Sequence, residues 1–86
     1  RQGPESGSLA RQAAHLMNLQ RIYAGVVPAP LAAASQVASL RDGILHVTAM
    51  NGAVAAKLRQ MAPTLAARIH ERDQQVNQIH VAVQGN

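Results

Sequence analysis

Two segments of alternating apolar and polar residues flank a turn in the middle of this chain. Residues 36–41 and 44–50 each repeat with a period of two, and Arg41–Gly43 lies between them. A period of two is typical of a strand with one buried face, and Gly43 can adopt the positive φ that a tight turn needs. The pattern therefore predicts an antiparallel β-hairpin.

Strict alternation assigns each residue of the hairpin to one of two faces. In the first strand the two sets are Gln36, Ala38 and Leu40, and Val37, Ser39 and Arg41. In the second strand they are Leu45, Val47 and Ala49, and Ile44, His46, Thr48 and Met50. The more apolar set of the second strand is expected to face the core.

Helical periodicity replaces the period of two before the hairpin. Between Leu9 and Val26, apolar residues recur at steps of three and four, which predicts an amphipathic helix with Ser8 as its N-cap. Prolines 28 and 30 end this helix, and only a short second helix over residues 31–34 can follow. The predicted apolar positions of the first helix are Leu9, Ala13, Leu16, Leu19, Tyr23 and Val26. Residues 1–8 are polar and contain Gly and Pro, and we expect them to be a disordered lead-in.

A second long helix is predicted after the hairpin. Asn51 can cap it, and its apolar spacing continues to about Arg72. The repeating apolar positions are Val54, Leu58, Met61, Leu65 and Ile69. Pro63 lies inside this stretch and has no N–H to donate, so we expect a kink there, or two helices that meet near Ala62.

Residues 76–83 alternate again and predict a third strand. The element order is then α-α-β-β-α-β, which predicts an α+β fold with a three-stranded sheet and helices on one face. Residues 9–86 are expected to form a single domain, since a chain of 86 residues holds only one core.

Composition excludes several classes of function. The chain has no Cys, and Tyr23 is its only aromatic residue, so thiolate chemistry and a row of base-stacking rings are absent. The four acids lie in the predicted tail, turn and polar connection, where no buried acid pair can form. His46 and His80 would share the open sheet face, but Thr48, Gln78 and Gln36 are poor additional ligands for zinc. We expect no enzyme activity, no metal and no cofactor.

Charge indicates a polyanionic partner. The chain has eight Lys and Arg against four acids, and its net charge is +4. At 100° per residue, Lys57, Arg68 and Arg72 fall within about 60° of one another on the second long helix, whereas Arg59 lies off that line. The predicted nucleic-acid contacts are Lys57, Arg59, Arg68 and Arg72, with Arg11, Arg21 and Arg41 in support. The apolar runs are too short to span a bilayer, so no membrane partner is expected. A basic helix face that is simply solvated is the alternative interpretation.

The segment from Val26 to Ile69 carries motifs that resemble the DciA family of bacterial proteins. The hairpin has the family's L-x-D-G-x-L-x-V pattern, and the long helix has its K/R-L-R-x-L-x-P-x-L run with Met in place of one Leu. The matching hairpin residues are Leu40, Asp42, Gly43, Leu45 and Val47. The matching helix residues are Lys57, Leu58, Arg59, Met61, Pro63 and Leu65. With the final strand, the resemblance extends over about residues 9–83.

This resemblance implies a KH-like domain that binds DNA and helps place the replicative helicase DnaB on DNA. It also implies a bacterial protein of the cytoplasm that is associated with the nucleoid. Two alternatives remain open. One is a protein–protein adaptor that uses the open sheet face or the last strand as an edge, with a homodimer as one form of it. The other is an RNA-binding KH-like module. The missing GxxG loop and the missing aromatic residues argue against it.

Overall fold

The computed structural model of the protein describes residues 4–85, with side chains from residue 9 onward. The first helix, α1, spans Pro4–Val26 and so begins before the predicted start at Leu9. The structure assigns residues 4–8, which were expected to belong to a disordered lead-in, to this helix, and residues 1–3 lie outside the described part. Ser8 lies inside the helix and is not its cap. Proline is favoured in the first helical turn, because its missing N–H would have no partner there.

Of the α1 residues with described side chains, those from His15 onward pack against the rest of the molecule. Leu19 and Tyr23 are fully buried, and Leu16 and Val26 are partly buried against the same core. Residues 9–14 are all exposed, and 65% of Leu9 is accessible to solvent. The expected burial of Leu9 and Ala13 is therefore wrong, although the helical spacing that suggested it is correct.

A short helix, α2, spans Ala29–Ala33 and turns the chain into the sheet. Pro28 and Pro30 lie at its start, as expected for residues that fix φ and lack a donor. The Ser35 hydroxyl donates to the carbonyl oxygen of Leu31 at 2.7 Å, so the Tyr23 hydroxyl donates to Ser35 Oγ at 2.6 Å. Burial raises the pKa of Tyr23, and the hydrogen bond with Ser35 partly offsets this. These bonds fix α1 to the α2–sheet connection.

The predicted hairpin is confirmed. Strand β1 spans Ser35–Arg41 and pairs antiparallel with β2, Ile44–Ala49. Asp42 and Gly43 both have positive φ, 52° and 78°, which is the geometry of a two-residue hairpin turn. A side chain at residue 43 would also meet the neighbouring loop, since a Cβ there would lie 2.6 Å from Nδ2 of Asn77.

Strict alternation fails at one point in β1. The register shifts between Val37 and Ser39, so that Val37 pairs with Val47, and Leu40 pairs with Leu45. The extra residue, Ala38, is a β-bulge, which changes the face on which every later residue of the strand lies. Leu40 therefore packs on the core with Val37, not on the opposite face with Gln36.

The second long helix, α3, spans Gly52–Arg72. As predicted, Asn51 caps it, with Oδ1 accepting from the N–H of Val54 at 2.9 Å. The helix runs through Pro63 as one element, so two separate helices are not formed. A bend at Pro63 stays a prediction.

Strand β3 spans Gln78–Val83 and pairs parallel to β2, which gives the sheet order β1-β2-β3. The order α-α-β-β-α-β and the α+β class are therefore confirmed. The buried side chains of β2 are Leu45, Val47 and Ala49, and α1 and α3 cover this face of the sheet. The other face carries Ile44, His46 and Thr48, and no described helix covers it. None of the described helices has the length and apolar character required to cross a bilayer.

Candidate nucleic-acid interface

Three cations lie on one side of α3. Lys57, Arg68 and Arg72 are all exposed, and at 100° per residue they lie within about 60° of one another. They extend over about 22 Å of helix at 1.5 Å per residue. Leu58, Leu65 and Ile69 form the buried side of the helix, so these three cations border the core and their charged ends reach solvent. We call Lys57, Arg68 and Arg72 the basic face.

Arg59 lies on the other flank of α3, about 140° from Arg72 by the same helix geometry. Its guanidinium donates from Nη2 at 2.9 Å and from Nε at 3.3 Å to the carbonyl oxygen of Val81 in β3. The sequence correctly placed it off the line of the other three cations. The structure does not join Arg59 to the basic face.

The supporting cations are exposed but dispersed. Arg11 and Arg21 lie on α1, about 80° apart by helix geometry. Arg41 ends β1, beside the Asp42–Gly43 turn. These three residues enlarge the positive surface, but none of them lies on α3 itself.

Few acids offset the cations. Of the residues with described side chains, Asp42, Glu71 and Asp73 are the acids, and none lies within 4.0 Å of a Lys or Arg nitrogen. Arg72 and His70 lie in the last turn of α3, where positive charge is favoured by the helix dipole. No acid among the described side chains therefore forms an ion pair with the basic face.

Asp73 is engaged by a different partner. Its Oδ2 lies 2.6 Å from Nε2 of His15 on α1, and its Oδ1 accepts from the N–H of Gln75 at 3.0 Å. Partial burial raises the pKa of Asp73, but the hydrogen bonds from His15 and Gln75 and the charge of His15 outweigh it and lower that pKa below its ordinary value. The pair ties α1 to the connection that follows α3. No local pattern indicates it, because the two residues are 58 positions apart.

His46 and His80 are neighbours on the open sheet face, since they pair in the β2–β3 register. Their rings meet edge to face, with centroids 5.5 Å apart. No third His, Cys or acid joins them, and across the described residues no group of three such ligands is found. The pair thus lacks the ligand set of a closed zinc site.

Comparison with known proteins identifies the family. The family model described as Dna[CI] antecedent, DciA, matches residues 2–81, which is nearly the whole chain. A search of the curated proteins finds no match. DciA proteins are helicase loaders or accessory factors and not known enzymes, and membership supports a replication role related to the loading of DnaB. The match, together with the element order and the hairpin and helix motifs, shows that this chain belongs to the DciA family.

Proposed function

We propose that this protein binds DNA phosphates through the basic face and brings DNA together with the replicative helicase DnaB. The observation that carries the proposal is the position of Lys57, Arg68 and Arg72 on one exposed side of α3, without an acid partner among the described side chains. Arg11, Arg21 and Arg41 add to the attraction at longer range. Arg59 contributes less, because part of its donor capacity is used by Val81.

The proposed binding is electrostatic and largely independent of sequence. Lys and Arg on phosphate oxygens give affinity by releasing counterions, whereas base edges are what carry sequence information. The sole aromatic residue, Tyr23, is buried and cannot stack on a base. We therefore expect weak binding to single- and double-stranded DNA alike. We also propose that the protein works in the cytoplasm, at the nucleoid.

The test is fluorescence anisotropy with labelled single- and double-stranded DNA at about 50 mM salt, repeated at rising salt. Lys57→Gln/Arg68→Gln removes two proposed phosphate contacts without reversing charge. We expect weaker binding, and a slope of log affinity against log salt that is shallower by about 1.4 to 1.8. Circular dichroism checks that the variant is folded.

A variant of equal net charge separates the basic face from overall charge. Gln36→Glu/Ala82→Glu also lowers the net charge by two, but both residues lie on the exposed, helix-free side of the sheet. We expect it to retain most of the affinity. Equal losses in the two variants would contradict a localised site, and no binding of wild-type protein would contradict the proposal as a whole.

The link to the helicase is tested separately. Affinity-tagged protein is mixed with purified DnaB, with and without DNA, and recovered DnaB is quantified. Recovery above a tag-only control supports the loading role. Failure to recover DnaB would remove that role and leave DNA binding intact. Stronger binding to single-stranded RNA than to DNA in the anisotropy assay would favour the RNA-binding alternative.

A further inference from the structure

Strand β3 is an edge of the sheet. The N–H groups of Gln78 and Gln84 donate toward β2, to Gly43 O at 3.1 Å and Ala49 O at 2.7 Å. Because backbone groups alternate in direction along a strand, the N–H and C=O groups of Ile79, Val81 and Val83 point away from β2. Within the part of the chain that the structure describes, no strand pairs with them.

A groove lies alongside this edge. It holds about 760 Å³ between the outer flank of α3 and the start of β3. Small side chains leave this space open, and the apolar lining consists of Ala62, Pro63, Ala66, Ala67 and Ile79. A strand added beside β3 would place alternate side chains over this lining.

Charged residues differ at the two ends of the groove. Arg59 reaches Val81 near one end, while His70 Nδ1 contacts Val76 O at 2.7 Å and Glu71 lines the other end. Arg59 and Glu71 are about 18 Å apart along α3 at 1.5 Å per residue. An occupant is therefore favoured if it carries a carboxylate near Arg59 and none near Glu71.

The opposite edge of the sheet, along β1, is interrupted. The N–H of Val37 in β1 donates to Oε1 of Gln20 on α1 at 2.8 Å, and the bulge at Ala38 interrupts regular pairing. Bulges and covering helices are the usual means by which sheet edges are protected. The β3 edge is protected by one such contact, in which the Arg59 guanidinium donates to the carbonyl oxygen of Val81. This guanidinium can move aside, because the Arg59 side chain is exposed.

We propose that β3 and the adjacent groove form a docking site for an extended segment of a partner protein, which adds beside β3 as a fourth strand and places a carboxylate on Arg59. A second copy of this chain fits poorly. Antiparallel pairing of two β3 strands about Val81 would bring two Arg59 guanidinium groups to the same place, and like charges in contact oppose association. This site goes beyond the proposed DNA function and does not depend on it.

The first experiment selects a random twelve-residue peptide library, displayed on phage, against the folded wild-type protein. We expect enrichment of peptides with alternating β-branched residues and an Asp or Glu. One enriched peptide is then synthesised, and amide hydrogen exchange measured by NMR shows where on the protein it binds. The amides of Ile79, Val81 and Val83 should gain protection, while Gln78 and His80, which already point to β2, should change little. No enrichment, or protection elsewhere only, would overturn the proposal.

Two variants test the groove and the charge. Ala67→Trp fills the groove, and Ala53→Trp is the matched control, because Ala53 is exposed on the same helix outside it. We expect loss of peptide binding in the first variant only. Arg59→Glu should weaken binding of the acidic peptide about tenfold and improve binding of a Lys-substituted peptide. If Arg59→Glu still preferred the acidic peptide to the Lys-substituted peptide, the role of Arg59 would be overturned. If the protein formed a concentration-dependent dimer that protects the same three amides, the occupant of the site would be a second copy of this chain and not a partner segment.

Discussion

Asp73 joins two parts of the molecule through a single side chain. One carboxylate oxygen meets His15 of α1, and the other accepts from the N–H of Gln75. Because these contacts lower the pKa of Asp73 in the folded state, folding favours the ionised form. The stabilisation is complete above the unfolded pKa of about 3.9 and is lost as pH falls through the lower folded pKa.

We predict that Asp73→Asn lowers the free energy of unfolding by on the order of 1 kcal/mol at neutral pH. The difference from wild type should shrink below about pH 4, where wild type also loses the charge. Urea unfolding at pH 7, 5 and 3 measures this. Glu71→Gln is the control, since this exposed acid, two positions away, has no ion pair among the described contacts. A difference that persists at pH 3 would mean that the carboxylate charge is not the cause.

At the scale of elements, the period of the apolar residues was sufficient to predict both long helices and all three strands. Boundaries and faces were less predictable. The bulge at Ala38 moves Leu40 to the core side, and no residue in β1 signals an inserted position. Residues 4–8 continue α1 although they include Gly7, because the start of a helix depends on the whole helix and not on one residue.

Pro63 offers a test at this scale. It has no N–H, so the backbone carbonyl of Arg59 one turn earlier lacks its helical donor. Pro63→Ala restores the donor, and we predict an increase of about 1–3 kcal/mol in the free energy of unfolding. Thermal and urea unfolding measure it, with Thr64→Ala as the control for helix propensity alone. A decrease in stability would show that α3 needs the shape that proline imposes.

At the scale of the whole molecule, the charge of the chain was predictable and its distribution only in part. Helix geometry alone predicts that Lys57, Arg68 and Arg72 lie together. The contact between Arg59 and Val81 was not predictable, because it joins residues that only the packing of α3 on β3 brings together. The same holds for the groove, which exists because small side chains of α3 face the start of β3.

The basic face and the groove lie on different flanks of α3, and we predict that they act independently. Lys57→Gln/Arg68→Gln should weaken DNA binding and leave the affinity for the selected peptide within about twofold of wild type. Ala67→Trp should show the reverse. Anisotropy and NMR titration of the same samples measure both affinities. Joint loss of both in either variant, with folding intact, would contradict two separate surfaces.

The unequal protection of the two sheet edges limits what this molecule can assemble into. An open-ended fibre needs every unit to offer two sides for pairing, one to receive the previous unit and one to receive the next. Here Gln20 and the bulge interrupt the β1 side, so a unit that accepts a strand beside β3 offers only a broken edge on its other side. Growth beyond one addition is therefore disfavoured. If the protein is held on DNA as we propose, where its local concentration is high, it can gain a strand without beginning to polymerise.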